Sequence, residues 1–460
     1  MPISSAGHPS RIAVVPASRP SAPEASFPRG FLWGAATAAH QVEGGNARSD
    51  WWHWEQLPGR INNGDRSGLA CDHYLRYRDD FALLADLGHS AHRLSLEWSR
   101  LEPAPGLFDA DAIAHYRDVL LALREHGLEP FVTLHHFTNP DWLANAGGWL
   151  RCEVVEAFAR FVKRMVAEYR DLVRYWITVN EPTVYAFLGY VVGKRPPGYR
   201  NLGAAFSVLR QFVRAHARAY WSIKAASPDA QVGIAHHRFQ LDPLRFRHPL
   251  DRLVTYLQLW LIDELYPAAI ARGRKPHLGI GRPDPALATG CEDFIGVNYY
   301  TRARIRFDVR KPWLLFGRHV SPLAPGNTLK MENYPEGLYS VLLRTAARKS
   351  ANDGMESPPI IVTENGVADR NDELRPAYLV QHLAAVHRAI GAGARVAGYL
   401  HWSSMDNFEW TEGFEPRFGL IAVDYGTLER RPKPSAYLYA DIIRRNALTP
   451  ELLARYAVGA

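Results

Sequence analysis

The chain has 460 residues, of which 47% are hydrophobic and 22% are charged, as expected of a globular protein with a large core. The formal net charge is +7 at pH 7, but the cations are spread along the chain and the densest stretch, 302–318, is interpreted as a solvated loop, so no nucleic-acid partner is expected. Three distant cysteines argue against a disulfide framework, and no apolar run reaches the roughly 18 residues of a membrane span, so no membrane partner is expected.

The first 26 residues are rich in serine, alanine and proline and are predicted to form a disordered tail. Their longest apolar piece, residues 12–17, contains a proline and is too short for the core of a secretory signal, so a cytoplasmic location is expected. Residues 27–446 are predicted to form one folded domain, followed by a C-terminal tail at 447–460.

Within the predicted domain, short apolar runs alternate with amphipathic stretches. Eight strands are predicted at 31–37, 91–96, 129–134, 175–180, 231–235, 294–300, 359–364 and 396–401. Between them lie helical patterns, such as the stretch that begins with Asp109 as a capping residue and ends at Gly127. Eight such alternations predict an α/β fold, a single (β/α)8 barrel. An open doubly wound sheet is the alternative, but GAATAAHQ after the first strand is not a glycine-rich phosphate turn.

Polar and aromatic residues recur at the C-terminal ends of the predicted strands, where a barrel of this kind carries its active site. In chain order they are Gln41, Arg93, His136, Asn180, Glu181, Asn298, Tyr300, Glu364, Trp402, Glu409 and Trp410. His135 and His136 are adjacent, but no third ligand stands at a metal-binding spacing. Neither a metal nor a cofactor is therefore expected.

Two glutamates directly follow β-rich strands, Glu181 after the fourth and Glu364 after the seventh. Strands four and seven of eight lie nearly opposite each other, so the two carboxylates are expected to face across the barrel mouth. Alone, either glutamate could be a helix N-terminal charge or a solvated strand end. Together they are what glycoside hydrolysis requires, because one carboxyl protonates the leaving oxygen while the other attacks or activates water.

Five motifs, in order, resemble those of glycoside hydrolase family 1, the retaining β-glucosidase and β-galactosidase family. They are FPRGFLWGAATAAHQVEGG, TLHHFTNPDWL, TVNEP, IVTENG and HWSSMDNFEWTEGFEPRFGL. The resemblance spans about residues 27–446 and implies a (β/α)8 barrel. It also implies a double displacement on a small β-glycoside or oligosaccharide, with a carboxyl separation of about 5–5.5 Å.

The resemblance implies a role for each matching residue. Glu364 matches the nucleophile and Glu181 the general acid/base, which must hold its proton near neutral pH. Arg93 and Tyr300 match residues that hydrogen-bond the nucleophile, and Arg93 is expected to keep Glu364 ionised. Other matching positions are implied to bind substrate or to support the catalytic pair: Gln41, His136, Asn180, Asn298, Trp402, Glu409, Trp410 and Phe418.

Three positions depart from the family pattern. Phe137 replaces the usual tryptophan, so an indole N–H is lost and weaker binding of a glycon hydroxyl is expected. Met331 stands where a tryptophan platform is frequent, so a softer aglycone site is expected. His401 precedes Trp402, and we have no physical account of it.

The sequence thus predicts a retaining β-glycosidase acting on terminal β-D-glucosyl residues, with β-galactosides and β-fucosides also plausible. A carboxylate at Glu409 is expected to repel a 6-phosphate, which favours an unphosphorylated sugar. A transglycosylase using the same intermediate and a non-catalytic glycoside-binding barrel are the alternatives. The aglycone, the oligomeric state and the role of the N-terminal tail stay open.

Overall fold

Eight parallel strands close into a barrel in this computed structural model, which describes residues 24–272, 290–320, 329, 331–347 and 357–456. We number the barrel strands β1 to β8: Leu32–Ala36, Ala91–Ser95, Glu129–Thr133, Tyr175–Asn180, Gln231–His237, Phe294–Asn298, Ile360–Asn365 and Val396–Trp402. Each strand pairs with the next in sequence, and β8 pairs with β1. The predicted (β/α)8 barrel is confirmed.

The long helices follow the strands and lie outside the barrel, and most of them pack against the long helix before or after them in the chain. We number them α1 to α8: His73–Asp86, Ala110–Glu125, Glu153–Tyr169, Leu202–Ala226, Pro249–Gln258, Pro335–Ala346, Arg375–Gly391 and Pro434–Arg445. The predicted ends of α2 are confirmed, because the Asp109 side chain accepts hydrogen bonds from Asp111 and Ala112 and Gly127 has φ of 70°.

Shorter segments complete the connections, mostly on the side of the barrel where the strands end. The short α-helices are Ala39–Val42, Asp50–Glu55, Trp98–Leu101, Asp141–Asn145, Pro182–Phe187 and Leu265–Arg272. The last of these continues α5 after a π-helical turn at Leu259–Glu264. A second π-helical turn, Leu188–Val192, follows Pro182–Phe187. The 3-10 turns are Asn62–Gly64, Gly148–Leu150, Pro312–Leu314 and Trp410–Glu412.

The strands are buried on both faces, which explains why they read as continuous apolar runs and not as alternating patterns. All six residues of β7 are buried. The barrel interior is filled by side chains that pack together from seven different strands: Ala91, Phe131, Ile177, Ala235, Phe294, Ile361 and Leu400. Such a packed interior fixes the height and direction of the residues at the strand ends.

Three small sheets lie outside the barrel. The strands Gln240–Pro243, Arg302–Phe307 and Gly317–Val320 form one, beside the strand-end rim. Ile421–Val423 pairs with Arg430–Pro432 in the loop after β8. The basic stretch interpreted as a solvated loop therefore contributes two strands, and its Arg302 pairs with Asp242 and Glu332.

The third sheet joins the two ends of the described chain, because Ala25–Ser26 pairs with Ala447–Leu448. A helix, Pro450–Tyr456, follows and contacts α7. Ordered structure therefore extends beyond Asn446 into the segment predicted to be a tail. Residues 1–23, which hold most of the predicted N-terminal tail, lie outside the described residues. Among the described helices, none is both long enough and apolar enough to traverse a bilayer.

Candidate active site

The strand register places the polar ends of β5, β6 and β7 at one height on one side of the rim. Glu364 on β7 is level with Asn298 on β6, and Asn298 is level with His237 on β5. Asn180, at the end of β4, is level with Ala235 on β5, two residues before His237. Side chains from these four consecutive strands are linked by direct hydrogen bonds.

Glu364 is buried and is held by two donors. One carboxylate oxygen lies 2.5 Å from an Arg93 guanidinium nitrogen, and the other accepts a 2.5 Å hydrogen bond from the Tyr300 hydroxyl. Gly366 follows closely, and a Cβ there would collide with the Trp402 carbonyl. The backbone after β7 passes so close to β8 that only glycine fits at this position, which is the last residue of the motif IVTENG.

Arg93 organises the site from inside the barrel. It is fully buried and donates to Thr133 on β3, Asn180 on β4, and both the Thr363 carbonyl and the Glu364 carboxylate on β7. Charge-assisted bonds of this kind hold their partners in fixed orientations.

Asn298 links the two halves of the site. Its amide nitrogen donates to Glu181 at 2.9 Å and to Asn180 at 3.1 Å, while its oxygen accepts from Thr363 at 2.6 Å. The amide oxygen of Asn180 accepts from Arg93 at 2.6 Å, so its nitrogen is directed to His136, 3.2 Å away. The predicted neighbours of the two glutamates are therefore brought together by the fold.

Glu181 adopts a left-handed backbone conformation, with φ of 45°. Phe137 and Trp410 also have positive φ, at 70° and 50°. Non-glycine residues rarely adopt this conformation, and strained positions of this kind concentrate at functional sites. Three of the predicted site residues are therefore among the strained positions of the described chain.

His237 is a functional residue that the sequence reasoning missed. Its ring nitrogen Nδ1 lies 2.8 Å from the Glu181 carboxylate, and its ring lies nearly parallel to that of Tyr300. The predicted fifth strand ended at Ala235, because two histidines interrupt the apolar pattern, whereas β5 continues through His237. His236 and His237 could have been predicted as strand-end residues, because polar residues at the strand ends marked the site on the other strands.

The two carboxyl pKa values are shifted in opposite directions in the free protein, and Glu181, which was expected to hold its proton, has a lowered pKa. Burial raises the pKa of Glu364 to about 7, and the negative charge of Glu181 adds to this effect against the opposing pull of Arg93. Burial also acts to raise the pKa of Glu181, but the His237 cation and the bonds from His237 and Asn298 outweigh it and lower this pKa. Glu181, in turn, raises the pKa of His237. In the free protein the proton needed for acid catalysis is therefore held mainly on His237, within reach of Glu181.

We expect the substitution His237→Asn to move the alkaline limb of the pH profile to lower pH. In the wild type, Glu181 and His237 share their last proton, and a shared proton is lost at a higher pH than either group alone would lose it. Without the imidazole, only Glu181 can hold this proton, so the limb should begin at a lower pH. The measurement is kcat/KM on a nitrophenyl β-glycoside across pH, with His236→Asn as control, because His236 bonds Glu292 and not Glu181. An unchanged limb in His237→Asn would contradict the shared proton.

Gln41 and Glu409 form the polar part of the predicted sugar clamp. The Gln41 amide nitrogen donates to Glu409 at 3.3 Å and to the Phe408 carbonyl at 2.8 Å. Its amide oxygen is buried and has no hydrogen-bond partner among the described residues. Burial raises the pKa of Glu409 to about 8. The repulsion of a 6-phosphate, expected from an ionised Glu409, is therefore weaker than predicted.

Three aromatic rings form the apolar part of the clamp. His136 lies nearly parallel to Trp402, with ring centroids 6.0 Å apart, and to Trp410, with centroids 6.1 Å apart. Burial lowers the pKa of His136 far below its usual value, so this imidazole is neutral. Indole faces suit the C–H faces of a sugar, and the neutral imidazole offers a donor or an acceptor.

Both glutamates open into one cavity of about 310 Å³, at the lower end of the size range of small-molecule sites. Predicted residues lining it are His136, Phe137, Asn180, Glu181, Tyr300, Met331, Glu364, Trp402, Glu409, Trp410 and Phe418. Residues that the sequence reasoning did not single out are Thr183, Val184, Phe187, Leu188, Arg195, His237, Phe239, Ile262 and His319. Gln41, Arg93 and Asn298 lie behind this lining and act on it through hydrogen bonds. No group of ligating side chains in the described part of the chain could hold a metal ion.

Residues 23–448 match the family described as glycosyl hydrolase family 1. Beta-glucosidase A of Thermotoga maritima is 33% identical over 447 residues, which cover 92% of this chain and 98% of that relative. A solved structure of a beta-glucosidase from Thermotoga maritima in complex with glucoimidazole superposes on this chain with a TM-score of 0.86. It is 32% identical and covers 92% of this chain and 100% of the solved chain. Beta-galactosidase of Saccharolobus solfataricus is 34% identical, covering 93% and 97% of the two chains. The beta-glycosidase of Pyrococcus horikoshii is 37% identical and has a TM-score of 0.86, covering 95% and 99%.

A closed parallel barrel with two carboxylates in one cavity at its strand ends defines a glycosidase. The chain belongs to glycosyl hydrolase family 1. It is a retaining β-glycosidase, and the prediction from the sequence is confirmed at this level. The similarities give no support to the alternative of a non-catalytic barrel or a dedicated transglycosylase.

Proposed function

We propose that the protein hydrolyses terminal, non-reducing β-D-glucosyl residues, with Glu364 as nucleophile and Glu181 as general acid and base. The observation that carries these roles is the contrast between the two carboxylates. Glu364 is held at both oxygens by Arg93 and Tyr300, which orients it and stabilises its charge. Glu181 faces a proton-carrying imidazole, His237, and opens into the same cavity.

In the first step Glu364 attacks the anomeric carbon and the bond to the leaving oxygen breaks. Glu181 gives its proton to that oxygen, and the proton on His237 can cross the 2.8 Å contact to supply it. The developing oxocarbenium charge is stabilised by the carboxylate beside it. A bound glycoside displaces water from the cavity, which favours the neutral form of Glu181.

In the second step Glu181, now ionised, takes a proton from water, and the water attacks the anomeric carbon while its bond to the Glu364 oxygen breaks, which restores the Glu364 carboxylate. The charge on Glu364 is absent while the ester exists, so it no longer opposes ionisation of Glu181. Asn180 is positioned by Arg93 and Asn298 to bind the 2-hydroxyl, an interaction that strengthens in the transition state. The anomeric configuration is retained because two inversions occur.

Glucose is the proposed glycon because a beta-glucosidase and its complex with a glucose-like inhibitor are among the similar proteins. A beta-galactosidase is also similar, so the test compares nitrophenyl β-glucoside, β-galactoside, β-fucoside and a 6-phosphoglucoside. We expect the highest kcat/KM on the β-glucoside and release of β-glucose as the first product, seen by NMR. A higher kcat/KM on the phosphorylated sugar would contradict the substrate, and release of α-glucose would contradict the mechanism.

A further inference from the structure

Arg195 lies in the loop between the turn Leu188–Val192 and helix α4, and its guanidinium enters the active-site cavity. The guanidinium carbon lies 4.8 Å from the ring centroid of Phe137, 5.8 Å from that of Trp410 and 5.9 Å from that of Trp51. The planar group is therefore held among three aromatic rings, in the part of the cavity that also contains Glu409 and Glu181.

The Nε and Nη1 atoms of Arg195 are buried and have no hydrogen-bond partner in the described part of the protein. No ion pair is formed by this side chain with any described carboxylate. A guanidinium carries five N–H donors, and leaving them unpaired away from water costs free energy. Its neighbours Phe137 and Trp410 supply aromatic faces, and the Phe137 ring has no donor or acceptor. Arg195 therefore lines the cavity with a guanidinium whose Nε and Nη1 donors are not used by any described residue.

The charges around Arg195 decide between an anionic and a neutral ligand group. Glu181, Glu364 and Glu409 all line the same cavity, and the first and last of these are the carboxyl groups that act most strongly on Arg195. A carboxylate or phosphate placed beside Arg195 would also face the ionised Glu181, the carboxyl group that acts most strongly on Arg195, and like charges oppose one another. A sugar hydroxyl can accept from the guanidinium and donate to a carboxylate at the same time. The surroundings therefore favour a neutral polyhydroxyl ligand.

We propose that Arg195 is a substrate-binding residue, which donates hydrogen bonds to a ring hydroxyl of the glycon on the side of the cavity formed by Phe137. The inference rests on the proposed glycosidase function and adds a donor from a loop that none of the family motifs in the sequence includes. Stacking on the Phe137 ring already fixes the orientation of the Arg195 guanidinium, so this side chain loses little conformational freedom when a ligand binds. We therefore expect selectivity for a glycon that carries the contacted hydroxyl. A glycon without this hydroxyl leaves the donors of Arg195 unpaired.

The test compares wild type and Arg195→Met on nitrophenyl β-glucoside and on its 2-, 3-, 4- and 6-deoxy analogues. In wild type, removal of the contacted hydroxyl should lower kcat/KM by about tenfold or more. In Arg195→Met, kcat/KM on the parent glucoside should fall by about 10- to 100-fold, and the penalty for the same deoxy position should disappear. Arg195→Lys keeps the charge but not the planar pair of guanidinium donors, so it should retain part of the loss in kcat/KM on that deoxy analogue.

Arg200→Met is the matched control, because Arg200 is an exposed arginine in the same loop that does not line the cavity. We expect it to keep wild-type kcat/KM on all five substrates. Equal losses of Arg195→Met on all five substrates would mean a purely structural role and would overturn the inference. A wild type that prefers a nitrophenyl β-glucuronide to the glucoside would overturn it in favour of an acidic glycon. Inactivity of the wild type on every glycoside would overturn the proposed function itself, and the inference with it.

Discussion

Glu364→Ala should lower kcat/KM on nitrophenyl β-glucoside by about 10⁴-fold or more. The substitution removes the nucleophile, so the covalent intermediate cannot form and the transition-state charge loses its partner. The other contacts of the cavity remain, so the loss is expected in kcat and not in KM. The measurement is steady-state kinetics at pH 6 to 7, with enzyme concentrations high enough to quantify residual turnover.

The control for this prediction addresses the buried cation that the substitution leaves behind. Arg93 is fully buried and would lose its carboxylate partner, which is expected to destabilise the fold by about 3–5 kcal/mol. Glu364→Gln keeps the size and the acceptor oxygen for Arg93, so it should melt closer to the wild type and be just as inactive. Azide should partly restore turnover of Glu364→Ala and yield the α-glycosyl azide. Wild-type activity in either variant would refute the assignment.

Glu181→Ala should have an effect that depends on the leaving group. With nitrophenolate, which leaves without a proton, formation of the glycosyl-enzyme persists and its hydrolysis becomes slow, so an initial burst is expected. With cellobiose, whose leaving oxygen needs the proton, kcat/KM should fall by about 10²- to 10⁴-fold. The measurement is pre-steady-state release of nitrophenolate beside steady-state release of glucose.

Azide distinguishes the role of Glu181 from that of Glu364. It should accelerate release from the intermediate in Glu181→Ala and give the β-glycosyl azide, the opposite configuration to the Glu364→Ala product. Asn298 and His237 each lose a partner in this variant, so its thermal unfolding should be compared with that of the wild type. Equal losses on nitrophenyl glucoside and cellobiose, with no burst, would show that Glu181 is not the acid.

The barrel could be predicted from the sequence because its strands are buried on both faces and therefore give continuous apolar runs. Strand β4 was predicted with its observed bounds, and β7 differs by one residue at each end. The end of β5 could not be found in this way, since His236 and His237 are polar although both belong to the strand. Burial of polar residues depends on partners that lie far away in the chain, here Glu292 and Glu181.

The two glutamates proposed as catalytic could be predicted from their position after two strands, but the hydrogen bonds that shift their pKa values could not. The link from Asn298 to Glu181 and Asn180 depends on a register between strands that no local pattern encodes. The lowered pKa of Glu181 could not be predicted for the same reason, because it depends on His237, which lies beyond the predicted end of its strand. Arg195 lay in an irregular loop, GKRPPGYR, where neither period nor motif marks a residue.

Arg93 joins four strands through one side chain: it belongs to β2 and bonds β3, β4 and β7. The carboxylate of Glu364, the proposed nucleophile, is therefore held by the closed barrel itself and not by a loop that can loosen separately. Loss of turnover on heating should therefore coincide with the global melting transition, with no inactive but folded species in between. The remaining activity would then report the fraction of molecules with a folded barrel during storage, refolding or selection of stabilised variants.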